Sequence, residues 1–125
     1  MFTHVMVGAN DVAKAKQFYD AVLGTLGVGP GFEMGERIFY RGAGGAFGVG
    51  KPLNGEPACF ANGGTIGFAA PNQEAVDAFH AAGLANGGTS EGEPGRRPQA
   101  PGNAYGAYLR DPEGNKICTF CQLLE

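Results

Sequence analysis

The feature that most constrains this chain is a repeat. His4-Val5-Met6-Val7-Gly8-Ala9 and Thr65-Ile66-Gly67-Phe68-Ala69-Ala70 stand 61 positions apart, and each is followed by a stretch of helical periodicity. At the same offset Phe18 falls on Phe79, Leu23 on Leu84, Gly27 on Gly88 and Ala15 on Val76. An offset that matches strand to strand and helix core to helix core is the signature of an internal duplication. Two copies predict a paired-module domain and no solenoid.

Within the first copy, Val12, Ala15, Phe18, Tyr19, Val22 and Leu23 recur at helical spacing against Lys14, Gln17 and Asp20, giving one apolar stripe. Asn10 or Asp11 supplies the N-cap, and Gly24 and Gly27 can close the far end. A strand over about 2–8 precedes this helix. Strands over 36–41 and 46–51 follow it, joined by the glycine turn at 42–45. Residues 52–64 read as a linker with a short strand near Cys59-Phe60. The second copy repeats the pattern with a helix from Gln73 to Leu84 capped at Asn72. A loop over 90–103 carries Arg96 and Arg97, and strands over 105–109 and 116–122 end the chain. The expected division is one domain of two modules, about 1–55 and 62–125.

With 125 residues, 43% of them hydrophobic and 17% charged, the chain can bury a real core. A net charge of −3 argues against a nucleic-acid or anionic-membrane partner, since both need a basic surface. No stretch approaches the roughly 20 apolar residues of a membrane span. Three cysteines, an odd number, make no disulfide framework, and the expectation is a cytoplasmic protein.

The strand-helix opening with His4, the repeat at 61 positions and the run Tyr108-Leu109-Arg110-Asp111-Pro112-Glu113-Gly114-Asn115-Lys116-Ile117 resemble the vicinal oxygen chelate superfamily. That superfamily comprises glyoxalase I, the bleomycin- and fosfomycin-resistance proteins and the extradiol dioxygenases. The resemblance covers the whole chain. It implies an α+β fold of paired βαβββ modules forming a cupped mixed sheet with the helices outside, a small-molecule pocket in the cup, and commonly a homodimer.

Strand alternation then assigns faces. If His4 lines the cup, so do Phe2 and Met6, with Val5 and Val7 beneath the helix. Thr65 and Gly67 line it from the second module, and Cys118 and Phe120 from the last strand, with Ile117 and Cys121 behind. Tyr105 and Tyr108 have opposite parity, so one of them faces the cup, and Phe39 and Tyr40 pose the same choice. The candidate ligand-binding residues are therefore His4, Met6, Thr65, Tyr105, Tyr108, Cys118 and Phe120.

The superfamily's enzymes use a divalent metal that binds two vicinal substrate oxygens. The resemblance implies four ligand positions filled by His or Glu. Here the first is His4, the second lies within 46–51 where neither residue type occurs, the third is Thr65 and the fourth is Cys118. Thr is a poor ligand and Cys favours softer ions. The expectation is a metal-free binding protein with no cofactor. The alternative is a divalent-metal-dependent lyase, isomerase or dioxygenase of the glyoxalase I type, with His4 and Cys118 the only metal candidates. A metal-free reaction would leave His4 as the one candidate catalytic group, a general base.

Other signals have plainer readings. Cys118 and Cys121, three apart on a strand, point to opposite faces and do not form a thioredoxin-like pair. Arg96 and Arg97 read first as solvated loop charges, with an acidic ligand as the alternative partner. His80 reads as a boundary residue over the core, and neither histidine has a serine context suggesting a nucleophile set.

Overall fold

Two helices of 13 residues, α1 (Val12–Gly24) and α2 (Gln73–Ala85), sit at the expected 61-residue displacement from end to end. Both begin the same way. The Asp11 side chain accepts from the Lys14 amide, and Asn72 accepts from that of Ala75. Asn10, the other N-cap candidate, instead exchanges hydrogen bonds with the Ala58 backbone and donates twice to the Glu113 carboxylate. Past the helix ends, Gly27 and Gly87 take φ of 89° and 96°, the left-handed region that lets the chain reverse without a Cβ clash.

The structure is a computed structural model and describes residues 1–124. Its strands are β1 (His4–Gly8), β2 (Phe32–Met34), β3 (Arg37–Gly42), β4 (Gly45–Gly50), β5 (Ile66–Ala69), β6 (Thr89–Arg96), β7 (Ala104–Arg110) and β8 (Lys116–Gln122). They form two four-stranded mixed sheets, ordered β1-β4-β3-β2 and β5-β8-β7-β6. In each, the strand before the helix pairs in parallel with the last strand of its half, and the other pairings are antiparallel. The fold is α+β, two βαβββ units, as the resemblance implies. Strand pairing does not join the two sheets into one continuous cup among the described residues.

One face of each sheet packs on the helices, and the two helices pack on each other. Phe18, Tyr19, Val22 and Leu23 of α1 share a core with Ile38, Val49, Phe79, Leu109 and Ile117, so both halves contribute. Full burial of a side chain of this size contributes roughly 1.5–3 kcal/mol. Phe47 of the first sheet meets Phe68 of the second edge to face at 5.2 Å, continuing the aromatic packing across the seam.

The Asp111-Pro112-Glu113-Gly114-Asn115 turn fastens the halves together. Asp111 Oδ1 accepts from the Glu113 and Asn115 amides, which folds the turn on itself. Asp111 Oδ2 accepts from the Tyr19 hydroxyl of α1 and from Asn115 Nδ2. Asn115 Nδ2 also donates to the Gly8 carbonyl at the end of β1, and Glu113 accepts from the Asn10 amide and side chain. The most recognisable motif in the sequence is thus a clasp from the second half to the first.

Three expectations are corrected. The first strand starts at His4, because the chain bends at Thr3. Residues 59–60 form no strand. The first half of the expected 90–103 loop belongs to β6, an edge strand whose pairing with β7 shifts register twice.

Candidate functional site

On the first sheet the alternation holds. Val5 and Val7 pack toward the helices, while His4 and Met6 are exposed on the opposite, concave face. The β1–β4 register sets His4 beside Ala46 and Met6 beside Gly48, and the β3–β4 register sets Phe39 beside Gly48. Tyr40 turns the other way: it is 2% exposed and donates to Asp20 at 2.8 Å. Phe39 is therefore the concave member of that pair.

Two adjoining cavities of about 830 Å³ and 610 Å³ open on this face. They share His4, Arg37, Phe39, Lys51, Pro52 and Leu53, so the start of the inter-module linker forms a common wall. Met6 and the exposed Cys59 line the smaller cavity. Phe2 lines neither. The bend at Thr3 breaks the strand alternation and places Phe2 in an apolar groove at the seam, with Val5, Phe47, Ile66 and Phe68. The His4 ring has a near neighbour of its own, with Nδ1 2.9 Å from Thr3 Oγ1.

On the second sheet, Ile117, Thr119 and Cys121 turn inward while Cys118 and Phe120 share the opposite face with Tyr108. Tyr108 is paired with Cys118 in register, and its ring meets Phe120 edge-on at 5.7 Å. Tyr105 takes the other side of β7. Its hydroxyl donates to Asp77 of α2 at 2.7 Å, which removes it from the cup-lining set. Thr65 lies just before β5 and is exposed; the next concave position, Gly67, stands over the Cys118 sulfur. Within one chain, neither of the two cavities around His4 is lined by Thr65, Tyr108, Cys118 or Phe120.

The residues at the implied metal positions do not fit a hard divalent ion. At the β4 position facing Met6 the chain has Gly48, and a Cβ there would run into the Met6 sulfur and come within 2.9 Å of the Phe39 ring. The space a carboxylate ligand would start from is thus filled by two apolar side chains. Burial pushes the Cys118 thiol up to about 11, with Lys116 opposing, so at neutral pH it offers a protonated sulfur and no thiolate. Among the described residues no three His, Cys, Asp or Glu side chains converge.

The structure also brings together groups that the sequence left apart. His80, 7% exposed, lies with Nε2 2.8 Å from Ser90 Oγ, so a histidine does have a serine neighbour, contrary to expectation. Burial lowers its pKa, with Glu93 working the other way, which suits a neutral ring packed between α2 and β6. Among the described residues no hydrogen bond joins a carboxylate to the other ring nitrogen, so they form no triad there. Arg37 of the first face and Lys116 of the second were absent from the expected lining, Phe39 entered it only as the alternative to Tyr40, and Arg97 only as the alternative to a solvated loop charge. An alternation count from Tyr40 would have found Phe39, but only the β3–β4 register puts it against Gly48.

The comparisons agree with this architecture. A family model described as Glyoxalase/Bleomycin resistance protein/Dioxygenase superfamily matches residues 1–119. A crystal structure of a glyoxalase/bleomycin resistance protein from Albidiferax ferrireducens T118 is 60% identical, with a TM-score of 0.93 over 96% of this chain and 98% of that one. A glyoxalase/bleomycin resistance protein/dioxygenase family enzyme from Burkholderia phytofirmans PsJN is 19% identical, with a TM-score of 0.74 over 97% and 98%. A lactoylglutathione lyase from Agrobacterium tumefaciens is 24% identical, with a TM-score of 0.66 over 96% and 92%. The last two show likeness of fold alone. A search of curated proteins finds no match. With nearly the whole chain matched by the family model, this protein belongs to the glyoxalase/bleomycin resistance/dioxygenase superfamily.

Proposed function

We propose that this chain binds a small organic molecule on the concave faces of its sheets without a metal ion, and that two copies of the chain together complete the cup. The observation that carries the metal-free reading is Gly48, where Met6 and Phe39 occupy the place from which a second ligand would reach His4. A catalytic metal in proteins is usually held by three side chains, and among the described residues His4 belongs to no cluster of three candidate ligands. The cavity lining suits an organic ligand: Phe39, Met6, Pro52 and Leu53 give apolar walls, and His4, Arg37 and Lys51 give polar points of orientation.

The homodimer has its own support. Met6, Phe32, Met34 and Leu53 leave 40% to 89% of their surface exposed around the His4 cavities, an apolar rim of the kind that marks an association or ligand surface. No helix is long and apolar enough to cross a membrane. A cytoplasmic location accords with three free cysteines, which a reducing compartment preserves.

Elemental analysis of protein purified without chelators tests the proposal. The expected result is no stoichiometric nickel, zinc, manganese or iron, before or after reconstitution. A stoichiometric ion that is lost in His4→Ala would overturn it and put a metal-dependent lyase, isomerase or dioxygenase in its place.

A further inference from the structure

The face of the second sheet that holds Tyr108 and Phe120 also carries charge. The Lys116 ammonium stands 5.1 Å from the centre of the Tyr108 ring, and the Arg97 guanidinium 5.7 Å from it. Phe120 closes on the same ring edge-on. Gly92, opposite Tyr108 on β6, leaves room for the guanidinium: a Cβ there would approach Arg97 Nη2 at 3.2 Å and the Tyr108 ring at 3.4 Å.

Among the described residues neither cation makes an ion pair. Arg97 donates to the backbone carbonyls of Glu93 and Gly95, which fix its plane but carry no net charge. Arg110, on the same face, is shared between the Phe60 ring and Glu91 at 3.6 Å. In a chain whose net charge is −3, this face therefore gathers three cations against one carboxylate. Both free cations are half-buried beside aromatic surface, where an added anion is screened less than in bulk water.

We infer that the concave face of the second sheet binds the carboxylate of a small aromatic or planar acid, held between Lys116 and Arg97 with its flat body against Tyr108 and Phe120. This deepens the proposed small-molecule function by naming the ligand class, and it rests on that reading. An ammonium and a guanidinium flanking one ring can both reach an anion at its edge through charge-assisted hydrogen bonds. The two rings offer stacking surface at little conformational cost. A neutral or cationic ligand of the same shape would gain the stacking but not the charge.

Three isosteric probes separate these contributions: benzoate, benzamide and benzamidinium, titrated into the full chain at low salt and followed by amide NMR. Benzoate is expected to shift the amides of Gly92, Gly106, Tyr108 and Cys118 saturably. Benzamide should bind at least about tenfold more weakly, and benzamidinium more weakly still. Lys116→Met and Arg97→Met should each weaken benzoate about tenfold, whereas Lys116→Arg should keep most of the affinity. Amide spectra of the two Met variants that keep the dispersion of the unmutated chain guard against misreading a folding defect as lost binding.

The inference fails if benzamide binds as well as benzoate, if both Met variants bind benzoate unchanged, or if no amide of β6–β8 moves. Benzoate shifts confined to residues around His4 and Phe39 would sink the Lys116–Arg97 assignment while leaving the metal-free pocket standing. A stoichiometric metal found by elemental analysis would sink the latter instead.

Discussion

The two concave faces are built by the same plan and have diverged in chemistry. Each backs onto a 13-residue helix through a four-stranded mixed sheet with the same strand order. On the first face, glycine at 48 has let Met6 and Phe39 close over the strand beside His4, and the linker walls two cavities above them. On the second, Tyr108, paired with Cys118, meets Phe120 edge-on, with Arg97 and Lys116 over the Tyr108 ring. The helix-facing residues are constrained by a shared core, in which a change of one methylene is felt. On the opposite faces His4 and Met6 are exposed and Tyr108, Phe120 and Lys116 are half-buried, so substitution there is less constrained by the shared core.

The largest effects should fall where the two halves are alike. Phe18 and Phe79, 61 positions apart, are both fully buried in the shared core. Phe18→Ala and Phe79→Ala should each cost about 3–5 kcal/mol in chemical denaturation. If one of them cost under about 1 kcal/mol, the halves would not be equivalent supports of the core.

The next helix position sharpens the comparison, because Tyr19 of α1 corresponds to His80 of α2. Burial, together with the facing Asp111 carboxylate, holds the Tyr19 hydroxyl proton well above the ordinary tyrosine range. A raised folded pKa means the unfolded chain loses that proton first. This contribution to stability is full below about pH 10 and is lost as pH rises beyond it. His80 is shifted down, mainly by burial, so the unfolded chain takes up a proton first and stability is lost as pH falls below about 6.5. Tyr19→Phe should cost about 1–3 kcal/mol at neutral pH, by removing one of the donors to Asp111, and should flatten the alkaline limb. His80→Gln should flatten the acid limb and leave the alkaline one unchanged. Denaturation midpoints across the pH range read both, and unchanged limbs in the two variants would break the assignment.

The smallest effect should come from Tyr105. Its hydroxyl bonds Asp77 on the helix side, so Tyr105→Phe should cost under about 1 kcal/mol and leave benzoate binding at Tyr108 unaltered. Weakened benzoate binding in that variant would mean that the parity of β7 has been assigned to the wrong faces.

Much of this was legible in the residues. The helices announce themselves through local signals, a cap and an apolar stripe, and the 61-residue displacement was readable because both helices and their flanking glycines kept their lengths. The edge strand β6 was not, because Pro94 and the prolines that follow it read as loop. An edge strand tolerates a proline that cannot donate to a ladder, and the register shifts absorb the irregularity. The His4–Met6 alternation was legible for the same local reason as the helices. The choice between Tyr105 and Tyr108 was not, since it depends on which neighbour each meets: Asp77 across α2, or Cys118 across β8. The filling of the Gly48 site by Met6 and Phe39 needs three strands in register, and no single stretch of sequence carries that information.

The central claim is that neither face grips a divalent cation. Manganese titrated into the isotope-labelled protein tests it at residue resolution, because a bound paramagnetic ion erases nearby amide signals. The account predicts that signals around His4, Gly48, Gly67 and Cys118 fade no faster than those of exposed loops. Selective loss of those four at substoichiometric manganese would contradict it.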